Sequence, residues 1–459
     1  MRLQTTVLFF LLLLTPLFLQ AQADGWVDLF DGETLNGWSQ KGGNAPYAVQ
    51  DGMIVGKTIS NEENSFLTTN DEYDDFILEF EVWVDPQVNS GVQIRSLSSP
   101  DYRDGRVHGY QVELDPSQRA WSGGIYDEAR RGWLYPITQS EKSQEAFKNG
   151  QWNKIRVEAI GNSINTWIND VQCARLVDDM TAKGFIALQV HYPYMEEMVG
   201  GKIKWRNIKI RTKNLEENRR KPDTQVKEIS YLKNELTELE KRHGWRLLWN
   251  GKTSYGWRGA KIDHFPKSGW EMSDGILTIQ ETDGGESTGP GDIVTQNEFS
   301  NFELELEFKI SKGANSGIKY FVDPELNQGP GSAIGAEFQI LDDENHPDAN
   351  AGIAGNRKVG SLYDLIAARN LSVPSRGKPF NGVGQWNKAR IVSKDGHVEH
   401  WLNNIKVVEY DRFSQMFTAL VAYSKYQKWE DFGQWPQGHI LLQDHGNEVH
   451  YRSIKVREF

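Results

Sequence analysis

The 459-residue chain contains a single cysteine, Cys173, so it has no intramolecular disulfide framework. It also lacks an excess of positive charge, because 51 lysines and arginines against 63 aspartates and glutamates leave a net charge of −12. Nucleic acid and anionic membrane surfaces need a basic footprint, so neither is expected as a partner. With 16 Trp, 16 Tyr and 20 Phe, the composition indicates instead a β-rich protein stabilised by packing.

Long apolar runs are missing after residue 23, so no membrane insertion is expected once the N-terminus is processed. Residues 1–23 have the three parts of a signal peptide: Arg2, the apolar run 7–19, and the small residues Ala21-Gln22-Ala23. An N-terminal membrane anchor is the alternative, but the run is short for a span. No cysteine follows it to carry a lipid. The sequence therefore predicts a periplasmic or secreted protein.

The rest of the chain contains two copies of one sequence unit. Asn89-Ser90-Gly91 returns as Asn315-Ser316-Gly317, and Gln151-Trp152-Asn153-Lys154 returns as Gln385-Trp386-Asn387-Lys388. Six such landmarks recur in the same order, which indicates a tandem duplication. We therefore expect a first domain over 24–211, a charged linker over 212–243, and a second domain over 244–459.

Each copy has the period of two that is typical of strands. Phe302, Leu304, Leu306, Phe308 and Ile310 alternate with charged residues, which predicts a strand with one buried face. Short strands separated by turn residues favour an antiparallel sandwich or jelly roll in each domain. The linker differs: its apolar residues recur every three or four positions, which predicts a short amphipathic helix from near Asp223. Those residues are Val226, Ile229, Leu232, Leu236 and Leu239.

Polar residues two apart on a strand are the best sign of a ligand-binding sheet face. In the second copy Glu337 and Gln339 share a face, and in the first copy Gln111 and Glu113 do the same with amide and carboxylate exchanged. A solvated outer face is the alternative for any single pair. Recurrence in both copies beside the Asn-Ser-Gly strands favours a site.

Further polar residues join this candidate face by the same logic. Each of these second-copy residues has a counterpart in the first copy. The histidines near the end of each copy, His445 and His191, are candidates for a base or a hydroxyl-binding group. The pairs are Lys319 with Arg95, Tyr363 with Tyr126, Gln443 with Gln189, and His445 with His191.

Several sharper signatures are absent. A sandwich glucanase needs Glu-x-Asp-x-Glu, but Glu113-x-Asp115 is followed by Pro116-Ser117. His397 and His400 would lie on opposite faces of a strand, a poor metal pair. There is no phosphate-binding loop, dinucleotide fingerprint or nucleophile elbow. The sequence requires no cofactor and leaves a divalent metal open.

The segments 335–343, 346–349, 360–364, 385–387 and 438–446 of the second copy together resemble the 3-keto-disaccharide hydrolase family. That family has a concanavalin-like jelly-roll fold, and the resemblance extends in two copies over the whole mature chain. The first copy departs from the pattern. Gln111 stands in place of Glu337, Val190 in place of Asp444, and the segment around His346 has no clear counterpart, which makes the first copy a candidate accessory domain.

The resemblance implies an oxidised substrate, a glycoside carrying a ketone at C3. The ketone acidifies the C2 proton, so one base can remove it, the C1 group leaves, and water adds to the enone. The resemblance then implies Glu337 or His445 as the base. Lys319 and Tyr363 would lie near the enolate. The residues expected to hold hydroxyls or a metal are Asp342, His346, Gln339, Gln443 and Asp444. A non-catalytic carbohydrate-binding module is the competing expectation.

Overall fold

The computed structural model describes residues 25–282, 285–287 and 289–459 and consists mainly of antiparallel strands. The proposed signal peptide lies outside these residues and stays a prediction. Each domain is built from two sheets, which we call the back sheet and the site sheet. In the described part of the chain no helix has the length and apolar character needed to cross a bilayer.

The first domain pairs a large back sheet with a seven-stranded site sheet. The back-sheet strands of this domain are β1 (Val27–Asp28), β3 (Tyr47–Gln50), β4 (Met53–Lys57), β6 (Phe76–Val84), β11 (Asn153–Ile160), β12 (Ser163–Ile168), β13 (Val171–Val177) and β15 (Lys202–Arg211). The site-sheet strands are β2 (Trp38–Gly42), β5 (Ser65–Thr69), β7 (Ser90–Leu97), β8 (His108–Leu114), β9 (Ile125–Glu128), β10 (Gly132–Tyr135) and β14 (Phe185–Val190).

The second domain repeats this arrangement with a five-stranded site sheet. Its back-sheet strands are β17 (Arg246–Leu247), β19 (Trp270–Ser273), β20 (Ile276–Ile279), β22 (Phe302–Ile310), β25 (Asn387–Lys394), β26 (His397–Leu402), β27 (Ile405–Asp411) and β29 (Val449–Glu458). Its site-sheet strands are β18 (Trp257–Gly259), β21 (Ile293–Phe299), β23 (Asn315–Asp323), β24 (Ile334–Leu341) and β28 (Gly438–Leu442). The expectation of two antiparallel β-sandwiches is confirmed.

Helices are few and short. The α-helices are α1 (Glu141–Gln144), α2 (Leu215–Asn218), α3 (Glu238–Arg242) and α4 (Gln415–Ala422). The 3₁₀ turns are Arg103–Gly105, Glu196–Met198, Pro324–Leu326, Pro347–Asn350 and Lys425–Lys428. The last of these turns and α4 lie in an insertion of the second domain that bears on its site.

The prediction of an amphipathic helix starting near Asp223 is wrong. Ile229–Ser230 instead forms a short strand, β16, which pairs in parallel with Leu176–Val177 at the edge of the first back sheet. Val226 and Ile229 are buried in the first domain's core. The open sheet edge gains backbone hydrogen bonds and the apolar side chains are buried, so tertiary contacts override the helical period. Helix begins only after Thr237, which forms a capping box with Glu240.

The alternating strand β22 is buried on both faces rather than one. Leu304 and Leu306 lie in the second domain's core, as expected. Its glutamates are covered as well: Glu303 is fully buried and Glu305 is 5% exposed. They are matched by cations from neighbouring strands and from the linker, because a buried carboxylate needs a paired charge.

Glu305 is the centre of this ionic cluster. Its carboxylate lies 3.1 Å from the ammonium groups of Lys388 and Lys227 and 3.4 Å from that of Lys455. Burial alone would raise the pKa of Glu305, but these cations outweigh it and hold the pKa well below its usual value. Since Lys227 belongs to the linker and Lys388 also donates to Ser230 O at 2.9 Å, the cluster ties the linker to the second domain.

We expect Glu305→Gln to lower the free energy of unfolding by about 3 kcal/mol, because it leaves buried ammonium groups without their counter-ion. Chemical denaturation at neutral pH measures this. Glu409→Gln is the matched control, since the Glu409 side chain is half exposed and pairs only at the surface with Lys406; its cost should stay below about 1 kcal/mol. Equal effects of the two variants would contradict the role assigned to the cluster.

A candidate active site on the second site sheet

A polar cavity of about 370 Å³ opens on the site sheet of the second domain. We call it the second-domain cavity. Six residues predicted from the sequence line it together: Glu337, Gln339, His346, Tyr363, Gln443 and His445. Strand register explains their convergence, because alternate residues of β24 face the same way and the 360–363 segment runs alongside that strand. Its two ends are joined to β24 by hydrogen bonds from Gln339 N to Ser361 O and from Tyr363 N to Glu337 O.

Glu337 is the most deeply buried carboxylate of this cavity and is 4% exposed. Burial raises its pKa to about 7, although the nearby charges of Lys319 and Lys425 oppose the shift. The amide of Gln339 satisfies its hydrogen bonds when its nitrogen faces Glu337, donating to Glu337 Oε1 and to Ser316 O, each at 3.0 Å. A carboxyl group with a pKa near neutrality is suited to accept and return a proton.

The glycine of the Asn-Ser-Gly repeat provides the space that Glu337 occupies. Gly317 pairs with Gln339 across β23 and β24. A Cβ added at Gly317 would lie 2.1 Å from Glu337 Oε1 and 2.8 Å from its Cδ. The first domain repeats the arrangement, because a Cβ at Gly91 would lie 2.5 Å from Cδ of Gln111. The glycine is thus required by the nearby side chain on the adjacent strand, Glu337 in the second domain and Gln111 in the first.

Two histidines line the cavity. The rings of His346 and His445 are 5.9 Å apart and nearly perpendicular. His346 Nδ1 accepts a hydrogen bond from Asp348 N at 3.2 Å, so the proton of the neutral ring resides on Nε2. Burial lowers the pKa of His346, and the neighbouring His445 adds to that effect. The neutral form is therefore favoured, and Nε2–H is a hydrogen-bond donor.

Tyr363 and Lys425 form the wall beside Glu337. The Tyr363 hydroxyl donates to Asp348 Oδ2 at 2.7 Å, and Arg357 holds the other oxygen of Asp348 at 2.9 Å. The Lys425 ammonium lies 4.2 Å from the centroid of the Tyr363 ring. Desolvation lowers the pKa of Lys425 against the opposing charge of Glu337. Lys425 thus brings a cation into the cavity from the rim.

Three predicted site residues do not reach the cavity. Lys319 lies behind Glu337, with Nζ 3.9 Å from Glu337 Oε2, and donates to Ser332 Oγ at 2.5 Å and to Ala333 O at 3.2 Å. Its charge therefore acts on the Glu337 carboxylate without Lys319 lining the cavity, because the long side chain turns along the sheet towards these acceptors.

Asp342 and Asp444 shape loops instead of binding a ligand. Asp342 accepts from Gly313 N at 2.7 Å and from Asn345 Nδ2 at 2.8 Å, which fixes the turn before His346. Asp444 accepts from Gly291 N at 3.0 Å and from Gly446 N at 2.9 Å. Both carboxylates accept from loop donors and neither lines the second-domain cavity, so the expectation that they hold substrate hydroxyls or a metal there is wrong.

Four polar lining residues were missed by the sequence analysis: Glu286, Asn315, Asp348 and Lys425. Asn315 and Asp348 stand within motifs already noted, so a signal existed for them. Glu286 and Lys425 come from loops that carry no pattern. Glu286 Oε1 accepts from Gln443 Nε2 at 3.0 Å, which orients the amide of Gln443.

The first domain has a corresponding cavity of about 390 Å³, the first-domain cavity. Gln111, Glu113, Tyr126 and His191 line it as expected. A neutral amide takes the place of the buried base, because Gln111 stands opposite Tyr126 as Glu337 stands beside Tyr363. Glu113 is occupied by Arg119, whose guanidinium lies 2.8 Å from it and also pairs with Asp115.

Arg95 and Gln189 do not line the first-domain cavity. A bulge in β7, where Arg95 has φ +45°, turns its side chain away to Asp75 at 2.8 Å and Gly161 O at 2.8 Å. By register the counterpart of Lys319 is Gln93, which pairs with Gln111, and the proposed match with Arg95 is wrong. Gln189 is fully buried beneath this surface.

Among the described residues, one group of three carboxylate or imidazole ligands is close enough to hold a cation: His397, Glu399 and Glu409. It lies on the back sheet of the second domain, away from the cavity, and Lys406 already pairs with both glutamates at 2.7 Å. The ligand atoms in the second-domain cavity do not form such a group.

The fold and the cavity together define a tandem concanavalin-like β-sandwich with a polar site on one sheet. The family described as the 3-keto-alpha-glucoside-1,2-lyase-like domain matches residues 25–211 and again residues 244–457, and the chain belongs to that family. A 3-keto-disaccharide hydrolase of Bacteroides thetaiotaomicron is 38% identical over 238 residues, covering 47% of this chain and 78% of the relative.

Two solved structures from Parabacteroides distasonis, both described as putative glycosyl hydrolases, are also similar. One is 31% identical, with a TM-score of 0.42, and covers 50% of this chain and 99% of its own. The other is 26% identical, with a TM-score of 0.35, and covers 47% of this chain and 99% of its own.

We expect Gly317→Ala to displace the Glu337 carboxylate, because the new methyl group would occupy its position. A crystal structure should show the side chain of Glu337 moved by about 1 Å or more with the strands unchanged. Gly377→Ala is the control, since a Cβ there meets nothing within 4 Å. An undisturbed Glu337 in the Gly317 variant would contradict the steric account.

Proposed function

We propose that this protein is a carbohydrate hydrolase that cleaves 3-keto-glycosides in its second domain. The observation that carries the proposal is the buried Glu337 carboxylate, whose pKa of about 7 suits it to proton abstraction in a polar cavity. Membership of the family and the 3-keto-disaccharide hydrolase relative support the choice of substrate class.

The reaction begins at C2 of the oxidised sugar. Glu337 takes the C2 proton, and the electrons of the C2–H bond form the enolate of the C3 ketone. The C1–oxygen bond then breaks with proton transfer to the leaving oxygen. Water adds to C1 of the resulting enone while a proton returns to C2, so the net change is hydrolysis. Of the two candidate bases, Glu337 is favoured over His445 because it is the buried one.

The remaining residues supply charge and hydrogen bonds. Lys425 takes the place first expected for Lys319, because its cation faces the cavity and can stabilise the enolate oxygen. Tyr363 is held by Asp348 and shapes the wall beside the base. His346 and His445 line the cavity, where an imidazole N–H can donate a hydrogen bond to the leaving oxygen while that oxygen receives the proton that Glu337 took from C2. Gln339, Gln443 and Asn315 offer amides to the sugar hydroxyls.

The first domain is proposed to bind carbohydrate without cleaving it. Gln111 has no proton-accepting carboxylate, and Glu113 is neutralised by Arg119 at 2.8 Å. The cavity nevertheless keeps polar groups and the aromatic side chains of Trp133, Tyr192 and Tyr194, which suit the faces of sugars. The competing expectation of a binding module is therefore assigned to this half of the chain.

We expect Glu337→Gln to reduce turnover of a 3-keto-disaccharide by about 100-fold or more, because the base is lost while the shape is kept. Release of 3-ketoglucose measures the effect, and the unoxidised disaccharide should be left intact by both proteins. Glu128→Gln makes the same change in the first-domain cavity and should retain full turnover. Undiminished cleavage by the Glu337 variant would refute the assignment.

The pH dependence offers a second test. A base must be deprotonated to act, so kcat/KM should rise with pH around the Glu337 pKa of about 7. Lys319→Met removes the ammonium 3.9 Å from the carboxylate, which disfavours the charged form and raises that pKa. We expect the acidic limb of the profile to move to higher pH by about 1 unit.

Lys312→Met serves as the control for the pH profile, because Lys312 is an exposed lysine of the same domain. Its profile should match that of the unchanged protein. A Lys319 variant that loses activity equally at every pH would assign Lys319 a structural role only.

A further inference from the structure

A smaller cavity of about 280 Å³ adjoins the second-domain cavity. We call it the side cavity. Residues 330–335 line it, together with Asn327, Lys428 and Trp429. Lys428 Nζ lies 5.1 Å from the centroid of the Trp429 ring. The side cavity therefore combines an aromatic side chain with amide and ammonium donors.

The two cavities share two lining residues. Glu286 and Lys425 line both of them, so a residue with a carboxylate and a residue with an ammonium group stand where the cavities adjoin. Lys319 also lines the side cavity, and its Nζ is 3.9 Å from Glu337 Oε2. The side cavity thus begins within one side-chain contact of the proposed base.

The side cavity depends on an insertion that only the second domain has. Residues 412–437 join β27 to β28, whereas the equivalent strands of the first domain are joined by the short segment 178–184. The insertion supplies Lys425, Lys428 and Trp429. The copy that carries the buried glutamate is therefore also the copy that carries this insertion, while the copy with Gln111 has neither the glutamate nor the insertion.

The order of atoms in the substrate places its leaving group close to the base. The proton leaves C2 and the departing oxygen is on C1, the neighbouring carbon, so the departing sugar starts about two bonds from the atom that Glu337 attacks. A disaccharide bound with its keto ring in the second-domain cavity must direct its other ring to an adjoining space. The face of a Trp ring is a favourable surface for a sugar.

We propose that the side cavity receives the leaving half of the substrate, with Trp429 as the residue that selects a sugar at that position. This inference rests on the proposed function of Glu337. Lys425 and Glu286 flank the bond that breaks. The site therefore distinguishes a glycoside with a second ring from one with a small leaving group.

The test compares two substrates in Trp429→Ala: a 3-keto-disaccharide and methyl 3-keto-glucoside, which has no second ring. We expect kcat/KM for the disaccharide to fall by about 10-fold, while the methyl compound changes by less than about 2-fold. Trp429→Phe should recover most of the loss, because it keeps an aromatic face. Tyr423→Ala is the matched control in the same insertion, since Tyr423 is 90% exposed and lines neither cavity.

Two results would overturn the inference while leaving the proposed function intact. Equal losses on both substrates would show that Trp429 only supports the fold, and unchanged cleavage of the disaccharide would place the second ring elsewhere. In both cases the unchanged protein still cleaves the methyl compound through Glu337. If the unchanged protein cleaves neither keto-sugar, the proposed function itself fails and the role of the side cavity falls with it.

Discussion

The burial of one carboxylate, Glu337, is the constraint on which the rest of the second domain's site depends. Placing a carboxyl group inside a sheet is costly unless its surroundings compensate, and here the compensation is partial. Gln339 donates to it, Lys319 approaches it from behind at 3.9 Å, and Gly317 leaves it room. The incomplete compensation keeps the pKa near 7 instead of at its usual acidic value.

The two domains share the backbone and packing features of the site but differ in its charged groups. Both keep a glycine opposite the key side chain and a tyrosine beside it: Gly317 and Tyr363 in the second domain, Gly91 and Tyr126 in the first. The differences are electrostatic. In the first domain an amide replaces the carboxylate, and the remaining acids of the cavity are paired with arginines: Glu113 and Asp115 with Arg119, and Glu128 with Arg106 at 3.5 Å.

Much of the fold and about half of the site could be predicted from the sequence. Alternation along one strand identified Glu337 and Gln339, because a period of two is set by backbone geometry alone. Residues in loops were beyond this reasoning: Lys425 and Glu286 reach the cavity through tertiary structure without any local pattern. Arg95 was misplaced because a bulge shifts the register, and the linker helix was wrong because a sheet edge competed for its backbone.

The hydrogen bonds of Gln111 in the first domain oppose its replacement by glutamate. Its amide nitrogen donates to Glu113 Oε2 at 3.1 Å, and Glu113 in turn accepts from Asn89 at 2.8 Å and from Arg119. A glutamate restored at this position would lose that hydrogen bond and set two buried carboxylates against each other. Although glutamine and glutamate codons differ by one nucleotide, the hydrogen-bond network around the amide opposes that exchange. The identity of residue 111 is thus held by its neighbours and not by that residue alone.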